Sequence, residues 1–238
     1  MTSYASYTRN TRELLKQIAH KRRYRQVLDL VTSPLPTDRV LDYGCADGHL
    51  FSFLVGKFER RNLVGYDPNP KLLSEAEPSV IAGAELTTDI DSLLENQSSS
   101  FTLVYCMEVC EHLTDRSLDG LLQNITSLAS SRARIVIGVP IETGPSGFLK
   151  SIYRIAHGGR QSASIAQAFR ALFSMRIERE VTDVEWYGAH TGFSHIRLRE
   201  ILKQKGVCIL NTFYLPFPAI RGLLNNEIYF VCQRGPNP

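Results

Sequence analysis

The chain is expected to fold as one α/β domain on a mostly parallel sheet, and three observations predict it. Short apolar runs of strand length alternate with helical spacing along most of the 238 residues. The first strand-like run opens a glycine-flanked turn, Arg39-Val40-Leu41-Asp42-Tyr43-Gly44-Cys45-Ala46-Asp47-Gly48-His49-Leu50, which leads into an apolar helix. A second run, Asn62-Leu63-Val64-Gly65-Tyr66-Asp67, ends in an acid. A chain of this length buries a sizeable core, so residues 1–238 read as a single domain.

Residues 11–31 form the N-terminal helix. In the turn that follows the first strand, Gly44 and Gly48 can take backbone angles closed to residues with a Cβ, and N–H groups stand free at a helix start. A nucleotide-like cofactor is the natural guest. Dinucleotide folds require G-x-G-x-x-G, and the third glycine falls where this chain has His49. Here the small residues are Gly44, Ala46 and Gly48, behind Asp42, and alanine at 46 implies ordinary backbone angles there. A carboxylate at Asp42 suits a zwitterionic amino-acid tail and would repel a pyrophosphate. Asp47 reads as a cap or loop acid. A helix spans 46–58, and Asp67, before Pro68, can accept from both hydroxyls of a ribose.

The third strand is expected over 80–86, followed by Asp89 and Ile90. The fourth covers 101–106 and ends at Cys106, and a helix over 115–130 starts at Thr114 or Asp115. The fifth strand, 133–139, stops at Pro140. Gly144-Pro145-Ser146-Gly147 reads as a loop, 148–157 as an amphipathic helix broken by Gly158-Gly159, and 165–177 as helical again. A helix over 194–205 is closed by Gly206, and strands follow at 207–213 and 227–232.

Four of these elements, in this order, resemble class I S-adenosylmethionine (SAM) dependent methyltransferases over about residues 38–140. The turn after the first strand resembles their motif I, D-x-G-x-G-x-G, with Ala46 for the middle glycine. Met107-Glu108-Val109-Cys110-Glu111-His112-Leu113 resembles the E-V-L-E-H-L signature of the ubiquinone-biosynthesis type, and His190-Thr191-Gly192-Phe193-Ser194 resembles the H-x-x-F-S element of many relatives. The resemblance implies a Rossmann-like seven-stranded sheet of order 3-2-1-4-5-7-6 with strand seven antiparallel and helices on both faces. It implies SAM as cofactor, held by Asp42, Gly44, Cys45, Ala46, Gly48, Asp67, Pro68, Asp89, Ile90 and Cys106, with Asp89 and Ile90 at the adenine. It also sets residues 141–186 over the active-site edge as a substrate cap.

Charge sharpens the cap. Residues 1–30 carry seven Lys and Arg against Glu13 and Asp29, and residues 144–179 carry six against Glu178, although the whole chain is only +3. Two basic segments imply an acceptor bearing phosphate or carboxylate, with Lys150, Arg154, Arg160 and Arg170 on the acceptor side, or docking on an anionic membrane surface. Solvated helix faces are the plain alternative. The modest total charge and the lack of an RNA-binding module argue against nucleic acid. Five cysteines at scattered positions read as reduced, mostly buried thiols. No apolar stretch is long enough to cross a bilayer and the polar start lacks a signal-peptide core, so a soluble cytoplasmic protein is expected.

Methyl transfer asks for alignment and exclusion of water, and an oxygen nucleophile gains from a base. His112 and His190 are the candidate catalytic residues, with His190 or His195 facing His112; His195 otherwise reads as exposed. Glu108, Glu111, His112 and His190 also resemble the E-x-x-E-H and later-histidine metal set of some relatives, but no metal is assigned. The reading is O-methylation of a small or lipid-linked anionic metabolite, of glycan, quinone-precursor or polyketide type. The alternatives are a metal-assisted RNA methyltransferase and a non-catalytic SAM-binding partner subunit.

Overall fold

A computed structural model describes residues 24–30, 35–157, 164–182, 186–223 and 225–235. Seven strands, β1 (Val40–Tyr43), β2 (Leu63–Tyr66), β3 (Glu85–Thr87), β4 (Phe101–Met107), β5 (Ala129–Pro140), β6 (Val207–Leu215) and β7 (Glu227–Arg234), form one sheet of order β3-β2-β1-β4-β5-β7-β6. β1 pairs parallel with β2 and β4, β2 parallel with β3, and β6 antiparallel with β7. Helices lie beside them among the described residues: besides helical residues 24–28, these are α1 (Phe51–Leu54), α2 (Pro70–Ser74), α3 (Pro78–Ile81), α4 (Ile90–Gln97), α5 (Asp115–Leu128), α6 (Gly144–His157), α7 (Ile165–Leu172) and α8 (His195–Gln204). Among the described residues no helix is long and apolar enough to cross a membrane.

The described residues divide into two compact units. The first holds those up to Met107 together with Asn124–Val136, the second Glu108–Gln123 together with those from Ile137. In the first, β1, β2 and β4 are buried nearly throughout, as parallel strands are when helices cover them. In the second, Ile228, Tyr229, Phe230, Val231 and Cys232 of β7 are buried in succession. Hydrophilic caps set the helix starts: Asn69 accepts from Lys71 N–H, Asp89 from Ser92, Thr114 from Ser117, Ser164 from Gln167 and Ser194 from Arg197. Gln167 returns a bond to the Ser164 N–H and completes a capping box.

Several elements differ from the sequence expectation. Residues 78–81 are helical, because Pro78 presets the first helical turn, and Gly83 at φ +81 re-aims the chain into β3, which begins only at Glu85. A short apolar run, Val80-Ile81, carries no period to separate helix from strand. The helix expected over 46–58 shrinks to α1, since residues 47–50 are turns and Gly56 at φ +91 ends the segment. Residues 144–147 are the first turn of α6, where Pro145 needs no N–H partner. α7 stops at Leu172 because Ser174 takes φ +53. Of the helix expected over 11–31, residues 24–28 are helical, 29–30 turn, and the remainder lies outside the described residues.

Two glycines test this packing in opposite directions. A Cβ on Gly147 would stand 2.2 Å from the Glu142 carbonyl oxygen, whereas one on Gly120, inside α5, would meet nothing within 4 Å. Gly147→Ala should therefore lower stability by about 1–3 kcal/mol, and Gly120→Ala should raise it by about 0.5–1 kcal/mol. Urea midpoints at constant slope check both.

Candidate functional site

In the first unit the turn after β1 is shaped by its backbone. Gly44 and Gly48 take φ +83 and +69, and the N–H groups of Gly44 and Cys45 both donate to the Tyr66 carbonyl, at 2.7 and 3.0 Å. Ala46 departs from expectation: it is left-handed, at φ +48. An L-residue pays about 1–2 kcal/mol for that conformation. The compensation is visible, because it aims the Ala46 N–H at Asp67 Oδ2, 2.9 Å away. Asp67 Oδ1 accepts from the Asn69 N–H at 2.9 Å. Asp67 thus ties two turns together, a role the sequence did not reveal.

Two acids are buried here. Burial, and then the neighbouring Asp67, push the Asp42 carboxyl up to about 7. Burial also raises Asp67, against the two N–H donors that pull it down. Cys45 is buried, and Gly65 lies so close beneath it that a Cβ there would meet its Sγ at 2.8 Å and Leu86 at 2.6 Å. Cys106 is fully buried in β4, and Pro68 is exposed. Asp89 is exposed and caps α4 through Oδ1, with Ile90 half-buried as the first helical residue. Asp47, expected as a loop acid, is buried. The open-backbone turn and the two desolvated carboxylates fit a ligand with a cationic tail and a ribose, as SAM has.

The second unit gathers the histidines. β4 gives way to Glu108 at φ +57, whose N–H donates to Gly138, and Cys110–His112 form a 3-10 turn. The His112 carbonyl accepts from the Tyr187 N–H, and the His112 Nδ1 lies 2.7 Å from the Tyr187 carbonyl. A carbonyl only accepts, so Nδ1 carries the proton and the Nε2 lone pair is free. That Nε2 faces His190 Nε2 at 3.2 Å, while Trp186 stacks on the His112 ring at 4.4 Å. Burial lowers the pKa of both rings, His190 to about 4 with the further effect of His112. Two neutral rings cannot meet lone pair to lone pair, so the Nε2 atoms share a proton or a cation.

Glu111 completes the cluster. It is fully buried, neither carboxylate oxygen has a hydrogen-bond partner, and Oε1 lies 3.9 Å from His112 Nε2. Burial, then Glu108, hold its carboxyl well above the usual range. Ligand atoms of Glu111, His112 and His190 lie within 4.8 Å of one another. Arg179 braces the group by donating to the carbonyls of Glu111 and Ala189 while its guanidinium lies 3.9 Å from the Tyr187 ring centroid. Sequence reasoning passed over Trp186, Tyr187 and Arg179. That Trp186 is the chain's single tryptophan was the available signal.

His195 is half-buried, not exposed: its Nδ1 lies 3.4 Å from Thr143 Oγ1, and burial lowers it to about 4. The cap cations also differ from expectation. Lys150 and Arg154 bind the buried Glu142 at 3.2 and 2.7 Å, Arg170 is exposed on α7, and Arg160 lies outside the described residues. A cavity of about 770 Å³ in this unit is lined by Arg176, Arg179, Tyr187 and Phe193 among others. Neither member of the histidine pair lines it; Tyr187 and Arg179 connect the two.

A family model described as a methyltransferase domain matches residues 7–176. No curated protein matches the chain significantly. Among solved structures, magnesium protoporphyrin IX methyltransferase from Synechocystis PCC 6803, with bound SAH, is 16% identical over 94% of this chain and 89% of its own, with a TM-score of 0.58. A putative S-adenosylmethionine dependent methyltransferase from Listeria monocytogenes is 12% identical over 91% and 100%, TM-score 0.61. N-methyltransferase NodS from Bradyrhizobium japonicum WM9 is 16% identical over 92% and 98%, TM-score 0.55. These likenesses, at low identity, establish the fold. The family match covers well over half of the chain, and by it the chain belongs to the methyltransferase-domain family and is a class I SAM-dependent methyltransferase.

Proposed function

We propose that this enzyme, of the ubiquinone-biosynthesis type and working in the cytoplasm as a single domain, methylates an oxygen of a small or lipid-linked anionic metabolite. The observation that carries the reading is the neutral His112–His190 pair, 3.2 Å between Nε2 atoms. SAM, when bound, supplies a methyl group activated by a positively charged sulfonium. The chain supplies the rest. Asp42 pairs with the cationic tail, Asp67 takes the ribose hydroxyls with the acceptor capacity left beyond the Ala46 and Asn69 bonds, and Asp89 and Ile90 meet the adenine. The proton that leaves the acceptor hydroxyl enters at His190 Nδ1 while the His190 Nε2 proton passes to His112 Nε2, whose tautomer is fixed by the Tyr187 carbonyl. Arg176 and Arg179 on the cavity wall favour an anionic acceptor, and five free cysteines suit a reducing compartment.

One observation favours a second reading of the same site. Glu111, His112 and His190 would hold a divalent cation, which supplies Lewis acidity toward the acceptor oxygen. Acceptors would then extend to RNA ends.

Four measurements test these assignments. Asp42 titrates near 7 in the free protein and would be held ionised by a cationic tail. Affinity for S-adenosylhomocysteine should rise as pH rises toward 7, by at most about tenfold per pH unit, and level off above it. The sign is opposite for folding: the raised carboxyl stabilises the unliganded protein below about 4 and loses that contribution as pH climbs through 7. Calorimetry should show the trend in the parent and none in Asp42→Asn. Asp67→Ala should weaken the same ligand about ten- to a hundredfold, through lost charged hydrogen bonds of about 1.5–3 kcal/mol. Finally, His112→Gln and His190→Gln should each lower turnover of a hydroxyl acceptor by about 10²–10⁴-fold with cofactor affinity intact. Glu111→Gln separates the readings. Unchanged turnover and indifference to chelator support the proton relay, whereas loss of turnover with chelator sensitivity supports the cation.

A further inference from the structure

The helices α6 and α7 turn their large apolar side chains outward. On α6, Leu149, Ile152 and Tyr153 recur at i, i+3 and i+4 and are exposed, Tyr153 by 59%. The opposite side of that helix, with Gly147 and Ser151, is the buried one, and from it Lys150 and Arg154 reach the buried Glu142. A helix covering a core has the reverse arrangement. α7 repeats the inversion: Ala168 and Ala171 are buried, while Ile165, Phe169 and Phe173, at i, i+4 and i+8, are 66%, 52% and 70% exposed. The Phe148 and Phe169 rings lie 5.9 Å apart, so the two helices are neighbours and their apolar side chains form one surface. Single exposed apolar residues are ordinary, but a continuous set on paired helices marks a contact surface.

Charge selects the occupant. Neither α6 nor α7 carries an Asp or Glu, and with Lys150 and Arg154 turned inward to Glu142 the cation left among the outward apolar side chains is Arg170. Arg170 stands on α7 between Phe169 and Phe173, donates to the Arg176 carbonyl, and forms no ion pair among the described residues; Arg176, beside Met175, is exposed as well. In a protein–protein interface, where aromatic residues, Met and Arg are enriched, the guanidinium would be buried against a partner. At the boundary of a bilayer, by contrast, apolar and aromatic side chains enter among the acyl chains while guanidinium groups remain with the phosphates. We propose that the outer face of α6 and α7 docks on a bilayer rich in anionic phospholipid. The docking does not depend on the identity of the acceptor or on the chemistry at the histidines.

Sedimentation with sucrose-loaded vesicles tests it, comparing pure phosphatidylcholine with phosphatidylcholine containing one third phosphatidylglycerol. The parent should sediment with the anionic vesicles and far less with the neutral ones, and added salt should weaken binding. The variant Phe169→Ser with Phe173→Ser should bind at least about tenfold more weakly through lost apolar insertion. Arg170→Gln should lose about fivefold, at about 1 kcal/mol per basic residue near an anionic surface. Both variants should keep the thermal midpoint and the S-adenosylhomocysteine affinity of the parent, because the exposed side chains leave core and cofactor turn untouched. The proposal is overturned if the parent binds neither vesicle, if it binds both equally, or if the Phe169/Phe173 variant binds as well as the parent. It is also overturned if sedimentation in the absence of lipid shows a dimer that the Phe169/Phe173 variant abolishes, because a second copy would then cover the face.

Discussion

Backbone N–H groups from two separate turns, those of Ala46 and Asn69, converge on the Asp67 carboxylate, and the shape of the cofactor loop depends on that convergence. The left-handed Ala46 costs about 1–2 kcal/mol, while a hydrogen bond to a charged group contributes about 1.5–3 kcal/mol. The bond outweighs the strain, and the strained conformation persists. The price appears elsewhere, in a desolvated carboxylate whose titration is raised despite two donors, and in Asp42, raised further by Asp67. Among the described residues these two buried acids have no positive partner, which suits them to a cation. A sulfonium compound with an ammonium tail supplies one, which links the local backbone geometry to the choice of cofactor.

The second unit resolves a similar conflict by sharing. The reciprocal bonds between His112 and Tyr187 fix one tautomer, Trp186 fixes the ring plane, and the remaining lone pair is directed at His190. Burial lowers both imidazoles and raises Glu111, so it favours the uncharged form of each member of the cluster. Glu111 has no hydrogen-bond partner, although a buried carboxyl without one is costly. Among the described residues, a side chain held at that cost has no partner that explains it.

The same unit shows why a basic segment cannot be read as a basic surface. Glu142 is buried, and although burial raises its titration, Lys150 and Arg154 together hold it below its ordinary value. Drawing those cations inward rotates the apolar side of α6 outward. The cap's charge is thereby divided between an internal part, Lys150 and Arg154 on Glu142, and an external part, Arg170 beside Phe169 and Arg176 beside Met175.

The sequence by itself determined the strands β1, β2 and β4, the glycine turn, the acid ending β2 and the E-x-x-E-H segment, because strand patterning, turn chemistry and motif spacing are local properties of neighbouring residues, while the sheet order followed from the family resemblance. It also determined the end of α8 at Gly206 and its start at Ser194. It misassigned residues 80–84, where a short apolar run fits either period, and 144–147, where a proline and two glycines fit a loop as well as a helix start. Tertiary structure alone decided that Ala46 is left-handed, that His190 rather than His195 faces His112, that Arg179 and Trp186 build the site, and that Lys150 and Arg154 are spent on Glu142. Each of those outcomes rests on a contact between residues far apart in the chain. Burial sets the strength of such contacts, and burial is fixed only once the whole chain has packed.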